Sequence, residues 1–298
     1  MTSTVPRERT GTVSPAPATP PSRAQRRVRP ATVRRQVGLA LAILVVLVAV
    51  GWALRPAWFT GYDPIIGVPL DKLQAPSWNH WFGTDHLGRD IFSRMVHGTA
   101  TSLRTSLLAV AFGLVVGCLL GVVAGYAGGW ASDAIMRVVD VLLAIPSLLL
   151  SLVIVTVLGY GTLDVAIAVG LGAVATFARL VRAEVVRVRR SAYVEASVGV
   201  GTRWPVVLIR HVVPNSSGPV LALAALEIGA AILAVSALSF LGYGSPLPAP
   251  EWGSLVAEGR NYLASAWWLT TLPGLVVVAL VLAVNRIGRA VGREWGDR

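Results

Sequence analysis

Lysine and cysteine are almost absent from this chain of 298 residues, which has one of each. The single lysine, Lys72, stands in Leu70-Asp71-Lys72-Leu73, so the sequence contains no Gly-x-x-x-x-Gly-Lys-[Ser/Thr] phosphate-binding loop. The single cysteine, Cys118, lies inside an apolar run, which excludes an intramolecular disulfide and a cysteine-based metal cluster. We therefore predict that this chain binds no cofactor, and that any ATP and magnesium are bound by another subunit.

Charged residues are also scarce, at 14% of the chain against 54% hydrophobic residues. This composition is typical of a membrane protein rather than of a globular one. The net charge of +11 comes mainly from arginines beside apolar runs, without a basic patch that carries interleaved aromatics, so we predict no nucleic-acid partner. The predicted fold is an all-α membrane protein, a polytopic bundle of about six transmembrane helices in contact with lipid.

Residues 1–36 are rich in proline, serine, threonine and arginine and have almost no large apolar side chains. Such a segment is predicted to be disordered, and its eight arginines against one glutamate place it in the cytoplasm by the positive-inside rule. The apolar run 37–54 is predicted to be a retained first transmembrane helix. A twin-arginine export signal at Arg34-Arg35 is the alternative, but the run is long and no small-residue cleavage site follows it.

Residues 55–102 are predicted to form an external loop, because basic and acidic residues balance there. The loop contains the stretch FGTDHLGRDIFSR at 82–94, in which Gly83 and Gly88 permit tight turns. Its charged residues can pair with one another and hold the loop; they are Asp85, Arg89, Asp90 and Arg94. Three histidines lie nearby, at 80, 86 and 97, but scattered loop histidines are usually no metal site, and none is predicted.

Five further spans are predicted, at 105–126, 135–158, 163–178, 218–241 and 267–284. The second span carries four glycines at strict four-residue spacing, which predicts close contact with another helix through one face; they are Gly113, Gly117, Gly121 and Gly125.

Two acidic residues inside these spans are candidates for the translocation path, Asp140 and Glu227. Asp140 is expected to pair with Arg137 one turn away on the same helix, so a structural ion pair is favoured over gating. Glu227 has no partner in its own helix.

The arginine-rich stretch 187–215 is predicted to be a cytoplasmic loop with two short amphipathic helices. Ser191 is expected to cap the first helix, and glycines at 199 and 201 to end it. Thr202 is expected to cap the second helix, which Pro214 should stop. The two helices would then meet at a glycine hinge.

This loop resembles the EAA loop of ABC importer permeases, in which Glu-Ala-Ala is followed by a glycine and, about a dozen residues on, by Leu-Pro. The resemblance rests on Glu195, Ala196, Gly201 and Pro214, whereas Ser197 replaces the second alanine and a valine precedes the proline. The stretch at 82–94, the pattern MR-x-x-D-x-x-x-x-x-PS at 136–147 and the stretch LSFLGYG at 238–244 resemble the dipeptide, oligopeptide and nickel branch of these permeases.

The resemblance implies a subunit of a type I ABC importer with a permease core of five transmembrane helices at 103–298. It implies a coupling helix that carries Tyr193 and Glu195 and docks on an ATPase. The implied partners are a second homologous permease, cytoplasmic ABC ATPases and an extracytoplasmic substrate-binding protein, at a bacterial cell membrane with both termini of this chain cytoplasmic.

The chain itself would be a pore subunit and no enzyme, and the implied cargo is a dipeptide or oligopeptide. A nickel or other small polar solute importer of the same branch is the alternative cargo class. Two alternatives of a different class are an ATP-independent channel or secondary transporter and a membrane scaffold.

Overall fold

The computed structural model describes residues 30–246 and 248–296, and within these ranges it is helical with no strand beyond one isolated bridge between Thr84 and Asp90. The helices are α1 Pro30–Leu54, α2 Ile91–Ala127, α3 Gly129–Ala144, α4 Ser147–Leu158, α5 Thr162–Arg189, α6 Ala192–Gly199, α7 Trp204–Val207, α8 Val213–Leu238, α9 Trp252–Gly259 and α10 Trp268–Gly296. Five helices or helical runs in the described part are long and apolar enough to cross a membrane, and a bent pair makes a sixth. The predicted all-α bundle of about six spans is confirmed.

The predicted disordered tail falls largely on residues 1–29, which lie outside the described residues. From Pro30 onward the backbone is helical, so the prediction of a disordered segment to residue 36 is wrong at its end. The apolar run that follows continues the same helix without a break, because no proline interrupts it before Leu54.

The predicted external loop also ends earlier than residue 102. Helix α2 begins at Ile91, because the Asp90 side chain accepts a hydrogen bond from the backbone N–H of Ser93 at 2.6 Å and caps the first turn. Residues 91–102 are therefore helical, and α2 extends well beyond the apolar part recognised as the second span.

The third predicted span, 135–158, is not one continuous helix. Helices α3 and α4 meet at an angle of 98°. The break lies at Ile145, which is extended at φ −89° and ψ 129° because the following Pro146 disfavours the helical conformation of the residue before it.

Pro214 was expected to stop a helix, and this prediction is wrong. The chain is helical from Trp204 to Leu238, and Pro214 lies inside this run. A π-helical segment, Leu208–Val212, comes directly before it. Because the wider π turn rearranges the backbone hydrogen bonds where proline lacks an N–H group, the helix continues past Pro214.

Helices α2 and α5 pack closely through the glycine stripe. A Cβ atom built on each of its four glycines would lie 2.6–2.8 Å from the Cβ atom of an α5 residue; the pairs are Gly113 with Ala173, Gly117 with Phe177, Gly121 with Val181 and Gly125 with Val185. The partners repeat every four residues, as the glycines do, so the two helices run side by side over this length. This contact forms the centre of the bundle.

Candidate functional site

Helix α6 is a short segment held to the bundle by one buried side chain. Val194 is 1% exposed and packs with valines of α5 and of the helical run that starts at Trp204. Ser191 occupies the N-cap position, but its hydroxyl donates to the carbonyl of Val188 at 2.5 Å and makes no capping bond. The predicted side-chain cap is therefore wrong, although the helix begins where the sequence placed it.

The turn after α6 depends on Gly201. Its φ of +85° lies in the left-handed region, where a side chain strains the backbone. Thr202 was expected to cap the next helix, but the cap position belongs to Arg203, which makes no side-chain cap bond. The structure therefore places a hinge-like turn at Gly201, with the second helix starting at Trp204.

The outer surface of this region is apolar and uncovered. Glu195 and Ala196 are exposed and Ser197 is half-buried. Around them lie large apolar side chains with between 46% and 84% of their surface exposed, namely Tyr193, Val198, Val200, Trp204, Val206 and Ile209. Contiguous exposed apolar groups of this kind mark interaction surfaces. We call these residues, together with Glu195 and Ala196, the docking surface.

Beside α6 lies a cavity of about 720 Å³, lined by the C-terminal ends of α2 and α5 and the N-terminal end of α3. Glu195 lines this cavity together with three arginines, and two of the arginines form hydrogen bonds to α2 and α3. Arg182 Nε donates to the Ser132 hydroxyl at 2.9 Å, and Arg189 donates to the Tyr126 carbonyl at 2.6 Å. The loop bearing α6 is thus connected to the ends of the central helices.

On the other side of the bundle, two arginines and two carboxylates form a buried network. Asp85 accepts hydrogen bonds from Arg89 Nε at 2.6 Å and from Arg94 Nη1 at 2.9 Å. Both arginines also bind Glu258 of α9: Arg89 at 2.7 Å, and Arg94 through both terminal nitrogens at 2.8 and 3.0 Å. The Arg94 side chain is completely buried. Since the charges balance and Arg94 binds Glu258 through two hydrogen bonds, the network ties the loop that carries Asp85 to α9.

The environment of Asp85 lowers the pKa of its carboxyl. Burial raises the pKa, but hydrogen bonds from the backbone N–H groups of Arg89 and Leu87 and the charge and side-chain hydrogen bond of Arg89 outweigh it. Asp85 is therefore ionised at neutral pH, as the two arginines require.

The loop geometry depends on the two glycines of the motif. Gly83 and Gly88 have φ values of +72° and +76°, and a Cβ on Gly88 would lie 1.9 Å from the Val68 carbonyl oxygen. Asp90 does not join the arginine network, contrary to the prediction of local pairing. It caps α2 instead and lies 2.8 Å from His80 Nδ1.

The three loop histidines do not come together. His80 contacts Asp90, His97 contacts Ser93, and the His86 ring stacks on Tyr262 with centroids 5.4 Å apart. His86 does approach the carboxylates of Asp85 and Glu258 closely enough for a shared ion. Because two arginines already bind these carboxylates, their positive charges oppose a cation there.

Glu227 lines a second cavity, of about 370 Å³, at the break between α3 and α4. Walls from α2, α5 and α8 complete it with small apolar residues and the Thr176 hydroxyl, and α4 adds the hydroxyls of Ser147 and Ser151. Asp140 is not part of this cavity. Its carboxylate binds Arg179 of α5 at 2.6 Å, so the predicted pair with Arg137 on the same helix is wrong.

Sequence reasoning missed three partners. Glu258 and Arg179 lie far along the chain from the residues they bind, and no spacing pattern connects them. Glu251 is 2% exposed and accepts from the Ser239 hydroxyl at 2.7 Å and the Ser245 N–H at 2.6 Å, which closes the loop after α8. An acidic residue directly before an apolar helix was the only available signal for it.

Comparison with known proteins identifies the family. The model of the binding-protein-dependent transport system inner membrane component matches residues 117–296. This chain belongs to that family. It is 41% identical over 74% of its length to the dipeptide transport system permease protein DppC of Alkalihalophilus pseudofirmus, covering 72% of that protein. It is 38% identical over 86% of its length to the glutathione transport system permease protein GsiD of Escherichia coli, covering 84% of that protein.

Solved structures support the same fold. A chain of the inward-facing MetNI methionine ABC transporter matches with a TM-score of 0.53 and 20% identity, over 67% of this permease and 97% of that chain. A chain of an amino acid ABC transporter matches with a TM-score of 0.54 and 13% identity, over 68% and 94% respectively. The chain is thus a multi-pass membrane protein, a permease subunit of a binding-protein-dependent ABC importer with the type I fold.

Proposed function

We propose that this permease imports dipeptides or oligopeptides, with ATP and magnesium bound by separate ATPase subunits. The observation that carries the cargo class is the identity of about 40% to permeases named for dipeptide and glutathione transport. The proposed partners are a second, homologous permease that completes the path, a pair of cytoplasmic ATPases and an external substrate-binding protein. The N- and C-termini would lie in the cytoplasm of a bacterial cell, where the arginine-rich stretches also lie.

The docking surface is the proposed contact with an ATPase. It combines one acidic residue, Glu195, with uncovered apolar side chains in and after α6, a helix whose one buried side chain is Val194. A partner that moves this helix would act on the central helices through the arginines at the cavity beside it. Gly201 would allow the movement, because its turn is the only left-handed backbone between α5 and α8 among the described residues.

Co-purification tests the proposal. The tagged chain is extracted from its bacterial membrane in mild detergent, the co-purifying proteins are identified, and ATP hydrolysis and uptake of labelled dialanine are measured. Recovery of a sister permease and P-loop ATPases, with ATP-dependent uptake, supports the proposal. A chain that comes out alone and moves solute without ATP contradicts it and favours a channel or secondary transporter.

A charge reversal distinguishes docking from folding. We predict that Glu195→Lys reduces ATPase recovery several-fold while the chain's abundance in the membrane stays the same, because Glu195 is exposed and its carboxylate makes no hydrogen bond or ion pair within the described residues. Glu184→Lys is the matched control, since Glu184 lies on α5 outside the docking surface and pairs with Arg187. Equal ATPase recovery with both variants would contradict the assignment.

A further inference from the structure

The cavity at the break between α3 and α4 contains an acidic side chain from the middle of α8. Glu227 is half-buried, and α8 extends in both directions from it, to Val213 and to Leu238. In the described part of the chain, its carboxylate has no hydrogen-bond or ion-pair partner. An ionisable group inside a membrane helix costs free energy unless it faces water, a partner or a ligand, so the unpaired carboxyl group of Glu227 needs an explanation.

The broken helix presents two ends of opposite polarity to the cavity. Leu142, Leu143 and Ile145 at the C-terminal end of α3 line the wall, and so do Pro146 and Ser147 at the N-terminal end of α4. Free carbonyls at a helix C-terminus carry partial negative charge and free N–H groups at a helix N-terminus carry partial positive charge, so the two ends together suit both groups of a zwitterion. The Glu227 carboxylate is the one fully charged group among the described lining residues, and it favours a cationic group beside it.

The size and lining of the cavity restrict the ligand. A volume of about 370 Å³ is within the range of small-molecule sites. The remaining lining residues are small or apolar side chains with three hydroxyls, which suits a small solute that carries an ammonium group, including a zwitterionic dipeptide. A bare metal ion would find one carboxylate and no histidine or cysteine in the described lining.

We propose that Glu227 binds an ammonium group of the transported solute as it passes through the permease, and so gives the path a preference for cations. The proposal rests on the proposed function in one respect, that solute crosses through this chain. It adds the residue and the charge class: a peptide with a free α-amino group would fit, and the same peptide with an acetylated amine would not.

Thiol modification measures the charge in the cavity without any transport. Cys118→Ser removes the native thiol, and Ala230→Cys places one on the cavity wall one turn of α8 from Glu227. The rates of a cationic and an anionic methanethiosulfonate reagent are compared in membranes that hold the whole importer. With Glu227 present, the cationic reagent should react faster than the anionic one. The ratio of the two rates should fall on the order of tenfold with Glu227→Gln, because one nearby negative charge attracts one reagent and repels the other. Glu227→Asp should keep the ratio, and Asp164→Asn, a charge removed outside the cavity, should leave it unchanged.

Uptake in proteoliposomes then tests the ligand class. ATP-driven uptake of dialanine should fall about tenfold or more with Glu227→Gln and recover in part with Glu227→Asp, whereas the binding protein's affinity for dialanine stays the same. A thiol that neither reagent modifies, or a cation-to-anion ratio unchanged by Glu227→Gln, would overturn the inference. So would dialanine uptake unaffected by that change. If the parent importer moves no peptide but the charge ratio responds as expected, the proposed cargo fails while the cation-binding cavity stands.

Discussion

Removing one carboxylate from the buried network of Asp85, Arg89, Arg94 and Glu258 should destabilise the permease nearly as much as removing a carboxylate–arginine pair. In Glu258→Leu, Arg89 and the fully buried Arg94 are left to share Asp85. Breaking a buried ion pair typically costs 3–5 kcal/mol, because one charge stays buried without compensation. The Glu258 side chain keeps 18% of its exposure, so we expect the lower end, about 3 kcal/mol.

Replacing Arg94 has a similar effect, because it leaves an excess of negative charge where Glu258→Leu leaves an excess of positive charge. In Arg94→Met, Asp85 and Glu258 face Arg89 alone, and we expect a loss of about 3–4 kcal/mol. The double variant keeps the balanced pair of Arg89 and Asp85 at 2.6 Å and fills the space with apolar groups. The double variant should lose about 3–4 kcal/mol of unfolding free energy rather than about 6–7 kcal/mol, the sum of the two single losses. The difference is a coupling energy of about 3 kcal/mol between the two residues.

Unfolding in mixed detergent micelles, followed by tryptophan fluorescence, gives the free energies for all four chains. Glu184→Gln serves as control, because its pair with the exposed Arg187 should contribute only about 0.5 kcal/mol. Losses that simply add in the double variant would refute the reasoning, since additivity means that Arg94 and Glu258 act independently.

Three further perturbations follow from the same geometry. Gly117→Leu should destabilise the chain by at least about 2 kcal/mol in the same unfolding assay, since a Cβ there would lie 2.6 Å from the Cβ of Phe177, whereas Gly274→Ala in open space should change little. Gly201→Trp should abolish ATP-driven uptake at equal membrane abundance by straining the left-handed turn; normal uptake would contradict this. Above about pH 4, the ordinary carboxyl range, the ionisation of Asp85 should not change the free energy of unfolding. That free energy should fall as the pH drops through the lowered pKa of Asp85, and Asp85→Asn should remove this loss at low pH.

The sequence predicted features whose cause is local. The spans follow from apolar runs, and the glycine stripe follows from a four-residue period that puts one face of α2 against α5. The start of α6 and the turn at Gly201 follow from neighbouring residues. These patterns required no knowledge of which distant segment would lie opposite.

Features that depend on a distant partner were missed. Asp140 was assigned to Arg137 because that arginine is one turn away, but Arg179 of α5 binds it in the folded chain.

The effect of a proline on a helix was also not predictable from the sequence: Pro146 breaks a helix and Pro214 does not. Both remove an N–H group, but a π-helical segment precedes only the second, and proline alone does not indicate which outcome occurs.

One helical run connects the docking surface, the cavity at Glu227 and the buried Glu251. It extends over 40 residues from Trp204 to Tyr243 and is interrupted near its C-terminal end at Gly242, whose φ is +94°. Its N-terminal end carries part of the docking surface, Glu227 lies along it at the cavity, and Ser239 near its C-terminal end donates a hydrogen bond to Glu251. Such a helix bends most easily at the π-helical segment Leu208–Val212 and at Pro219. If a partner displaces the docking surface, the part of α8 after Pro219 would move as one unit, and the displacement would reach Glu227 and the contact between Ser239 and Glu251 together.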